Sequence, residues 1–444
     1  MVSIEEMAVF CKRKGFVFPS SEIHGGLAGF FDYGPLGVEM KNNIKRLWWK
    51  SIVNDREDVV GIDGALISPE SVWKASGHVE NFIDKIGACK KCKTKVKLDK
   101  HEIGIKKCEK CGIVYADEGE LNPMFETSVG STGVKDKVYL RPETAQMIYV
   151  NFKNVLDTSR MKIPFGIAQV GKAFRNEISP RNFLFRMREF DQMELQYFVR
   201  EKNAAKIFKE WKKIRMDWYI SLGIDKKKLR FKEHDKKDLA HYAKEAFDIE
   251  FEFDEFGWQE IEGLHNRGDW DLSQHEKFSK QDLKYFDDQT KEKFIPWVVE
   301  TSSGLDRAFL TFMFNAYVEE EVKGEKRIVL KLHPDIAPFR IAILPLVKKD
   351  GLAEKGREIF DELKTNCNAF YDDRSSVGRR YRRMDEIGTK WCITVDYQTL
   401  EDSTVTIRER DTMRQVRAKI KDLPDIIKKL SEGEKLETFG NFIK

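Results

Sequence analysis

No run of about 18 apolar residues occurs in the chain, which argues against a membrane-spanning helix of ordinary length. The opening residues, MVSIEEMAVF, carry no basic segment followed by an apolar stretch. No secretory leader is therefore expected, and the cytoplasm is the expected compartment. Internal repeats and low-complexity tracts are lacking too, which excludes solenoids and arrays. Net charge is nearly absent: 78 Lys and Arg face 74 Asp and Glu, leaving +4. Such a balance demands no polyanionic partner by itself, so local clusters decide the matter. Cysteine is sparse, with seven in all, and four of these sit in one tight pattern. That favours a reducing environment with one metal site over a disulfide framework.

What is present is ample core material. The 444 residues are 41% apolar and include 31 Phe, and at about 150 residues per domain two to four domains are expected. Residues 37–53, GVEMKNNIKRLWWKSIV, read as an amphipathic helix with Ile44, Leu47, Trp48 and Ile52 on one face. A glycine-rich loop, GGLAGFFDYGPLG, precedes it. Pro142 is placed to start a helix over ETAQMIYVNFKNVL, since its missing N–H is an orphan there anyway. Residues 200–295 mix helices with acidic, aromatic strands such as DIEFEFDEF and read as an insertion returning to the main sheet near Val298. SSGLDRAFLTFMFNA reads as strand end, glycine turn and apolar helix. Beyond a boundary near Leu332 to Pro338, short apolar strands alternate with charged helices, as in a small α/β domain.

The most informative stretch is QVGKAFRNEISPRNFLFRMREFDQMELQYF, residues 169–198. Two strand-like runs flank the turn-forming SPRN, which predicts an antiparallel hairpin. Alternation on the second strand gives one face to Arg186, Arg188, Phe190, Gln192 and Glu194. The other face carries Phe185, Met187, Leu195 and Tyr197, with Glu189 and Asp191 as polar exceptions. On the first strand Arg175 and Glu177 share a face. Arginines, an aromatic ring and carboxylates on one face are costly as core, because unpaired buried charge costs several kcal/mol. They suit a ligand with phosphates, a flat ring and an ammonium group, although a salt-bridged sheet surface has the same composition.

A second constellation is independent of the first. Cys89-x2-Cys92 and Cys108-x2-Cys111 offer four thiolates for a tetrahedral zinc ion, within a Lys-rich module over residues 86–118. Four sulfur ligands leave no open position, so the site is structural; His101 is not needed. Lysines 90, 91, 93, 95, 97, 106, 107 and 110 surround the knuckles and offer either phosphate contacts or a solvated surface. Arg379, Arg380, Arg382 and Arg383 around Tyr381 mix cations with an aromatic ring, as readers of RNA loops do. Cys11, Cys367 and Cys392 read as small buried residues, and His24 and His78 fall in loops without an assigned partner.

Phe174-Arg175-Asn176-Glu177 and Arg186-Met187-Arg188-Glu189-Phe190 resemble the second signature motif of the class II aminoacyl-tRNA synthetases. Gly304-Leu305-Asp306-Arg307 resembles their third, with Asp306 where most of the class has Glu, a departure that matches the glycine-specific branch. YGPLGVEMKNNIKRLWW, LRPETAQMIYVNFKNVL, REFDQMELQYF, HNRGDWDL and RMDEIGTKWCITVDY narrow the resemblance to glycyl-tRNA synthetases of the archaeal, eukaryotic and α2-bacterial type. It covers nearly the whole chain and is weakest over 86–118 and parts of 200–295.

The resemblance implies an α+β fold: a class II antiparallel sheet flanked by helices, with a zinc-ribbon insertion and a C-terminal α/β anticodon-binding domain. The catalytic domain would span 1–85 and 119–333, the ribbon 86–118 and the anticodon-binding domain 334–444. Residues 34–53 would form the first motif, at a homodimer interface. The implied activity is glycine–tRNA ligation through glycyl-adenylate, with Arg175 and Arg307 as the catalytic groups. The implied ATP site comprises Arg175, Asn176, Glu177, Phe185, Arg186, Met187, Arg188, Glu189, Phe190, Glu260, Ile261, Gly304, Leu305, Asp306 and Arg307. Glycine would meet Glu143, Phe190, Asp191, Gln192, Met193, Glu194, Arg267, Glu300, Thr301, Ser302, Ser303 and Gly304. Glu143, Glu194 and Glu300 would hold its ammonium and reject a methyl at the α-carbon by clash. Glu260 and Glu300 would hold Mg²⁺ against the phosphates. The four C-terminal arginines would touch tRNA. Lys97 stands near the substrate position of relatives, but its placement within the ribbon is insecure and it is left outside the site. Two other readings remain at this stage, a class II synthetase for another small amino acid and a non-catalytic tRNA-binding relative. The pocket glutamates speak against the first, and the presence of Arg175, Glu177, Phe190 and Arg307 speaks against the second.

Overall fold

A computed structural model describes residues 2–98, 102–130, 136–180, 182–235, 243–322 and 324–443. His101 and Arg181 of the SPRN turn lie outside them. In chain order, the elements that position the site begin with helix α1 (Pro35–Trp49), strand β1 (Val59–Gly61) and helix α2 (Ala145–Val150). Strands β2 (Phe165–Phe174) and β3 (Glu189–Val199) and helix α3 (Glu201–Ser221) follow. Then come β4 (Leu229–Glu233), β5 (Glu245–Phe253), β6 (Gly257–Gly268), α4 (Trp270–Ser279), β7 (Trp297–Gly304) and α5 (Leu305–Ala316). The strands form one seven-stranded sheet in the order β4-β5-β6-β7-β3-β2-β1, antiparallel throughout except for the edge pair β2–β1.

Strand alternation divides this sheet into two unlike faces. Met193, Leu195 and Tyr197 of β3 and Val299 of β7 face a core made with α1, α3 and α5. Helix α1 enters it through Met40, Ile44 and Trp48, four residues apart and fully buried. Pro35 stands at its first turn, where a missing N–H costs nothing. A buried bidentate pair, Arg215 to Glu262 at 2.6 and 3.1 Å, joins α3 to β6. On the opposite face Ile148, Tyr149, Phe152, Phe198 and Leu272 form a smaller core under α2 and α4. The rest of that face is polar, and it is where the cavity lies.

Residues 200–295 are not an insertion as a whole. Strands β4, β5 and β6 are members of the main sheet, and β6 is hydrogen-bonded to β7. The alternating pattern of DIEFEFDEF describes a half-buried strand equally well in an insertion or in the central sheet. Only the long-range pairing of β6 with β7 decides between them. The helix expected over 143–156 is broken at Asn151 into α2 and Phe152–Ser159. Pro142 does not start it, because the preceding residues are drawn to the sheet. Arg141 donates to the carbonyls of Lys172 (2.7 Å) and Gly64 (2.6 Å), and Thr144 N donates to Gln192 Oε1 (3.1 Å).

The ribbon is a three-stranded sheet of Asp84–Ala88, Lys95–Leu98 and Ala116–Leu121, with the first strand in the middle. After α5, a hairpin (Tyr317–Val322 with Glu325–Leu330) leads to a second sheet with its own core, in which Ile341, Ile343, Trp391, Ile393 and Ile407 are buried. Its first strand, Ile341–Pro345, runs parallel to both of its neighbours, Ala369–Tyr371 and Trp391–Val395. Among the described residues, no helix is long and apolar enough to cross a membrane.

Candidate active site

A cavity of about 360 Å³ opens on the polar half of the main sheet. Its floor is the cavity-facing set of β3, β6 and β7: Phe190, Gln192, Glu194, Gly263, His265, Arg267, Glu300, Ser302 and Gly304. Its roof is the segment between β2 and β3. The hairpin forms with Gln169 opposite Glu194 and Phe174 opposite Glu189. Its strands end earlier than the alternation implies, so Arg175, Glu177, Arg186 and Arg188 lie on the connecting loop rather than on a strand face. Buried Leu184, in the short turn Phe183–Phe185, pins this loop down.

One end of the cavity is cationic and aromatic. The Arg175 guanidinium lies 5.4 Å from both the Phe82 and Phe190 ring centres, and its Nε donates to Pro142 O at 3.0 Å. Arg186 Nε stands 3.6 Å from Glu177 Oε2. Arg307, at the head of α5, lies 4.5 Å from the Phe185 ring centre and pairs with Glu260 Oε2 at 3.2 Å. Fixed guanidinium forks beside a half-buried ring that lines the cavity suit phosphate oxygens and a flat heterocycle.

The other end is acidic. Glu300 accepts from Gln196 Nε2 and Arg267 Nη1, both at 2.8 Å, and lies 2.8 Å from His265 Nδ1. Arg267 also grips Asp271 through two bonds of 2.8 Å. Glu143 lies 3.4 Å from His78 Nε2 and accepts from Gln146 at 2.9 Å. Glu194 meets the Thr144 hydroxyl and, at 3.3 Å, Gln196 Nε2. Burial pushes Glu300 up, but Arg267 and His265 outweigh it and hold the carboxyl below its ordinary range. Glu143 is likewise raised by burial but held low by His78 and then Arg267. Glu194 goes the other way: burial, then Glu300 and Glu143, push it up to about 8. Gln192 Nε2 and Ser302 Oγ, 3.4 Å apart, close the wall beside it. At Gly263 a Cβ would sit 2.9 Å from His265 Cε1, so any side chain there would displace the His265 ring.

Several expected residues face elsewhere. Met193 and Thr301 are fully buried on the far side of the sheet, and Ser303 hydrogen-bonds Tyr219 Oη there at 2.9 Å. Ile261 and Leu305 are core. Arg188 braces the loop, donating to Glu177 O and Ala28 O, and Glu189 pairs with Lys172 at 3.1 Å. Asn176 is tied by its backbone to Pro123 O at 2.7 Å and does not line the cavity. Asp306 reaches the cavity rim, but its carboxylate is occupied by Tyr33 Oη (2.5 Å), Lys41 Nζ (2.7 Å) and Asp191 N (2.7 Å). That ties α5, α1 and β3 together, so Asp306 positions Arg307 rather than touching a ligand. Both oxygens of Glu300 are likewise engaged, which leaves Glu260 at the mouth as the expected Mg²⁺ ligand that faces open space.

The sequence reading left out other wall residues: it missed Phe82 and Asp84 and set Lys97 aside. Phe82, Asp84 and Lys97 line the cavity, with Lys97 Nζ 2.5 Å from Asp84 Oδ1, so the ribbon forms one side of it. No local pattern marks that contact. His265 was legible, since it lies two residues before Arg267 on a strand whose alternate residues face the cavity.

Away from the cavity, the four ribbon cysteines bring their sulfurs within 4.8 Å of one another, with contacts of 3.3, 3.5 and 3.6 Å. Sulfurs about 3.8 Å apart are what a tetrahedral zinc ion with bonds near 2.3 Å requires. In the second sheet Arg380 is 1% exposed and donates to the carbonyls of Pro345, Asp372 and Leu346. It is a structural strut and not an RNA contact. Arg379 is exposed, while Arg382 and Arg383 pair with Glu325 and Asp372.

Residues 125–316 match the family described as the tRNA synthetase class II core domain (G, H, P, S and T), and residues 340–430 match the anticodon binding domain. The chain is 54% identical over 435 residues to the glycine–tRNA ligase of Borreliella burgdorferi strain B31, covering 96% of this chain and 97% of that one. It is 50% identical over 426 residues to the glycine–tRNA ligase of Treponema denticola, covering 94% of each. To that of Caldanaerobacter subterraneus subsp. tengcongensis it is 47% identical over 459 aligned positions, covering 97% and 98%.

Proposed function

The chain belongs to the glycine–tRNA ligases, ATP-dependent class II synthetases that join glycine to tRNA, and from that premise we propose how its residues divide the work. One observation carries the assignment: a single cavity with arginines and half-buried rings at one end and three glutamates, Glu143, Glu194 and Glu300, at the other. ATP lies with its adenine against Phe190, its α-phosphate at Arg175 and its tail toward Arg307. Glycine lies with its ammonium among the three glutamates and its carboxylate toward Arg175. A carboxylate oxygen of glycine forms a bond to the α-phosphorus as the bond to pyrophosphate breaks, and pyrophosphate departs with the electron pair. The terminal ribose hydroxyl of the tRNA then attacks the glycyl carbonyl, and AMP leaves. The protein supplies alignment and fixed positive charge, not a covalent nucleophile. Mg²⁺ bound with ATP would neutralise phosphate charge, and Glu260 is the residue placed to hold it.

Specificity for glycine follows from crowding. Gln192 and Ser302 close the wall next to Glu194, so a side chain on the substrate meets protein atoms instead of space. Purified protein is expected to catalyse glycine-dependent ATP–pyrophosphate exchange, with alanine and serine lower by at least about a hundredfold. Equal exchange with alanine or serine would remove the assignment of the pocket.

Zinc held by Cys89, Cys92, Cys108 and Cys111 completes the reading, because the ribbon presents Asp84 and Lys97 to the cavity. We expect about one zinc per chain and, on chelation, loss of ordered ribbon with a fall in exchange activity, since structural zinc is coupled to folding. Metal-free protein with undiminished exchange would separate the ribbon from the site. Exposed Arg379, with Arg382 and Arg383, is the proposed tRNA contact of the second sheet. The apolar face of α1 is buried within its own protomer, so the proposed homodimer rests on the resemblance alone.

A further inference from the structure

Three glutamates close the inner end of the cavity with Asp271 behind them, and only some of these four acids touch a cation. Arg267 bonds Asp271 and Glu300, His265 also meets Glu300, and His78 stands against Glu143. Glu194 is 2% exposed and bonds instead to a hydroxyl, Thr144 Oγ1, and an amide, Gln196 Nε2. The titratable and charged groups around it come from every packed element. They are Arg141 and Glu143 before α2, Tyr149 on α2, His265 and Arg267 on β6, Asp271 on α4 and Glu300 on β7. Arg267 and Arg141 are the permanent cations of this group, and His265 and His78 carry charge only when protonated, so four ionised carboxylates beside neutral imidazoles would leave net negative charge buried, which is costly. A hydroxyl can accept a hydrogen bond as readily as donate one, so Thr144 suits either form of the acid.

We propose, resting on the glycine assignment above, that Glu194 waits in the empty pocket as a neutral carboxylic acid and that the entering glycine ammonium drives its proton into solvent. Before binding, the Glu194 hydroxyl hydrogen is shared with Thr144 Oγ1. On binding, the O–H bond breaks, the electron pair stays on the carboxylate, the proton passes to solvent and the ammonium takes its place as counter-charge. The upward shift of Glu194 to about 8 agrees with this geometry. The sign follows directly. Below that value a proton competes with glycine, so the apparent affinity falls by up to about tenfold per pH unit, and above it the affinity levels off. A ligand without an ammonium, such as glycolate, displaces no proton.

Glycine is titrated calorimetrically into the full-length protein near pH 7 in phosphate, HEPES and Tris, whose ionisation heats differ. The expected result is a buffer-dependent heat corresponding to release of about one proton per glycine, falling away well above pH 8. Glu194→Gln should bind glycine more weakly with no proton release. Glycine binding whose heat does not depend on buffer overturns the inference and leaves the glycine site standing. Proton release of wild-type size from Glu194→Gln overturns it by assigning the proton to another group. Failure of the wild type to bind glycine overturns both this inference and the pocket assignment.

Discussion

Arg175→Ala should lose glycine-dependent pyrophosphate exchange by about 10² to 10³-fold in kcat, the range seen when one fixed donor to developing charge is removed. The magnitude follows from how firmly the side chain is held. Its guanidinium lies 5.4 Å from the rings of Phe82 and Phe190, and its Nε is anchored on Pro142 O at 3.0 Å. Among the described residues no other side-chain nitrogen of Arg175 has a hydrogen-bond partner, so the terminal pair is free for phosphate and carboxylate oxygens. Arg175→Lys should recover little, because a flexible point charge does not reproduce a planar fork. The melting temperature should change little in either variant, since the group is only partly buried. Exchange within tenfold of wild type in Arg175→Ala would move the α-phosphate contact to another residue.

A second large effect is expected at Arg267, this time on the fold as well as the chemistry. Arg267 is 2% exposed and joins Asp271 on α4 to Glu300 on β7. Arg267→Met leaves Asp271 buried without its cation and Glu300 with His265 alone, and loss of one partner of such a group costs about 3–5 kcal/mol. Denaturant unfolding should show that loss near neutral pH, together with abolished exchange. The pH dependence has a definite sign. In the variant Glu300 loses the larger of the two cations that hold its carboxyl low, so its burial raises it, the native state holds more protons and stability falls as pH rises. The deficit should therefore be smaller at pH 5 than at pH 8. A deficit that grows toward low pH would contradict the pairing of Glu300 with Arg267.

Much of this was legible from local pattern. Alternation on β3 correctly set Phe190 and Glu194 against Leu195 and Tyr197, because a residue's face on a strand depends only on its parity. The same rule misassigned Arg186 and Arg188, because it holds only while the strand continues, and the strand begins at Glu189. The two CxxC knuckles predicted sulfur convergence, since short knuckles hold their cysteines close wherever the intervening chain goes. Runs copied from the signature motifs carried Met193, Thr301 and Ser303 into the site together with their neighbours, although adjacent residues of one strand cannot share a face. Arg380 was misread because a charged residue on a helix looks alike from sequence whether its side chain meets solvent or, as here, three backbone carbonyls.

The sequence by itself determined the family, the chemical types at the site, the residues of each strand that could share a face and the metal-binding spacing. All of these depend on residue identity and short-range periodicity. Tertiary structure alone decided that strands β4, β5 and β6 belong to the central sheet, that the ribbon walls the cavity through Asp84 and Lys97, and that Asp306 ties helices together instead of holding nucleotide. It also decided which of three similar glutamates stands apart. Glu143, Glu194 and Glu300 are chemically identical in the sequence, and they differ in the fold because a carboxyl's charge depends on what is packed against it. Glu300 has an arginine, Glu143 a histidine, and Glu194 a threonine hydroxyl with two other acids nearby.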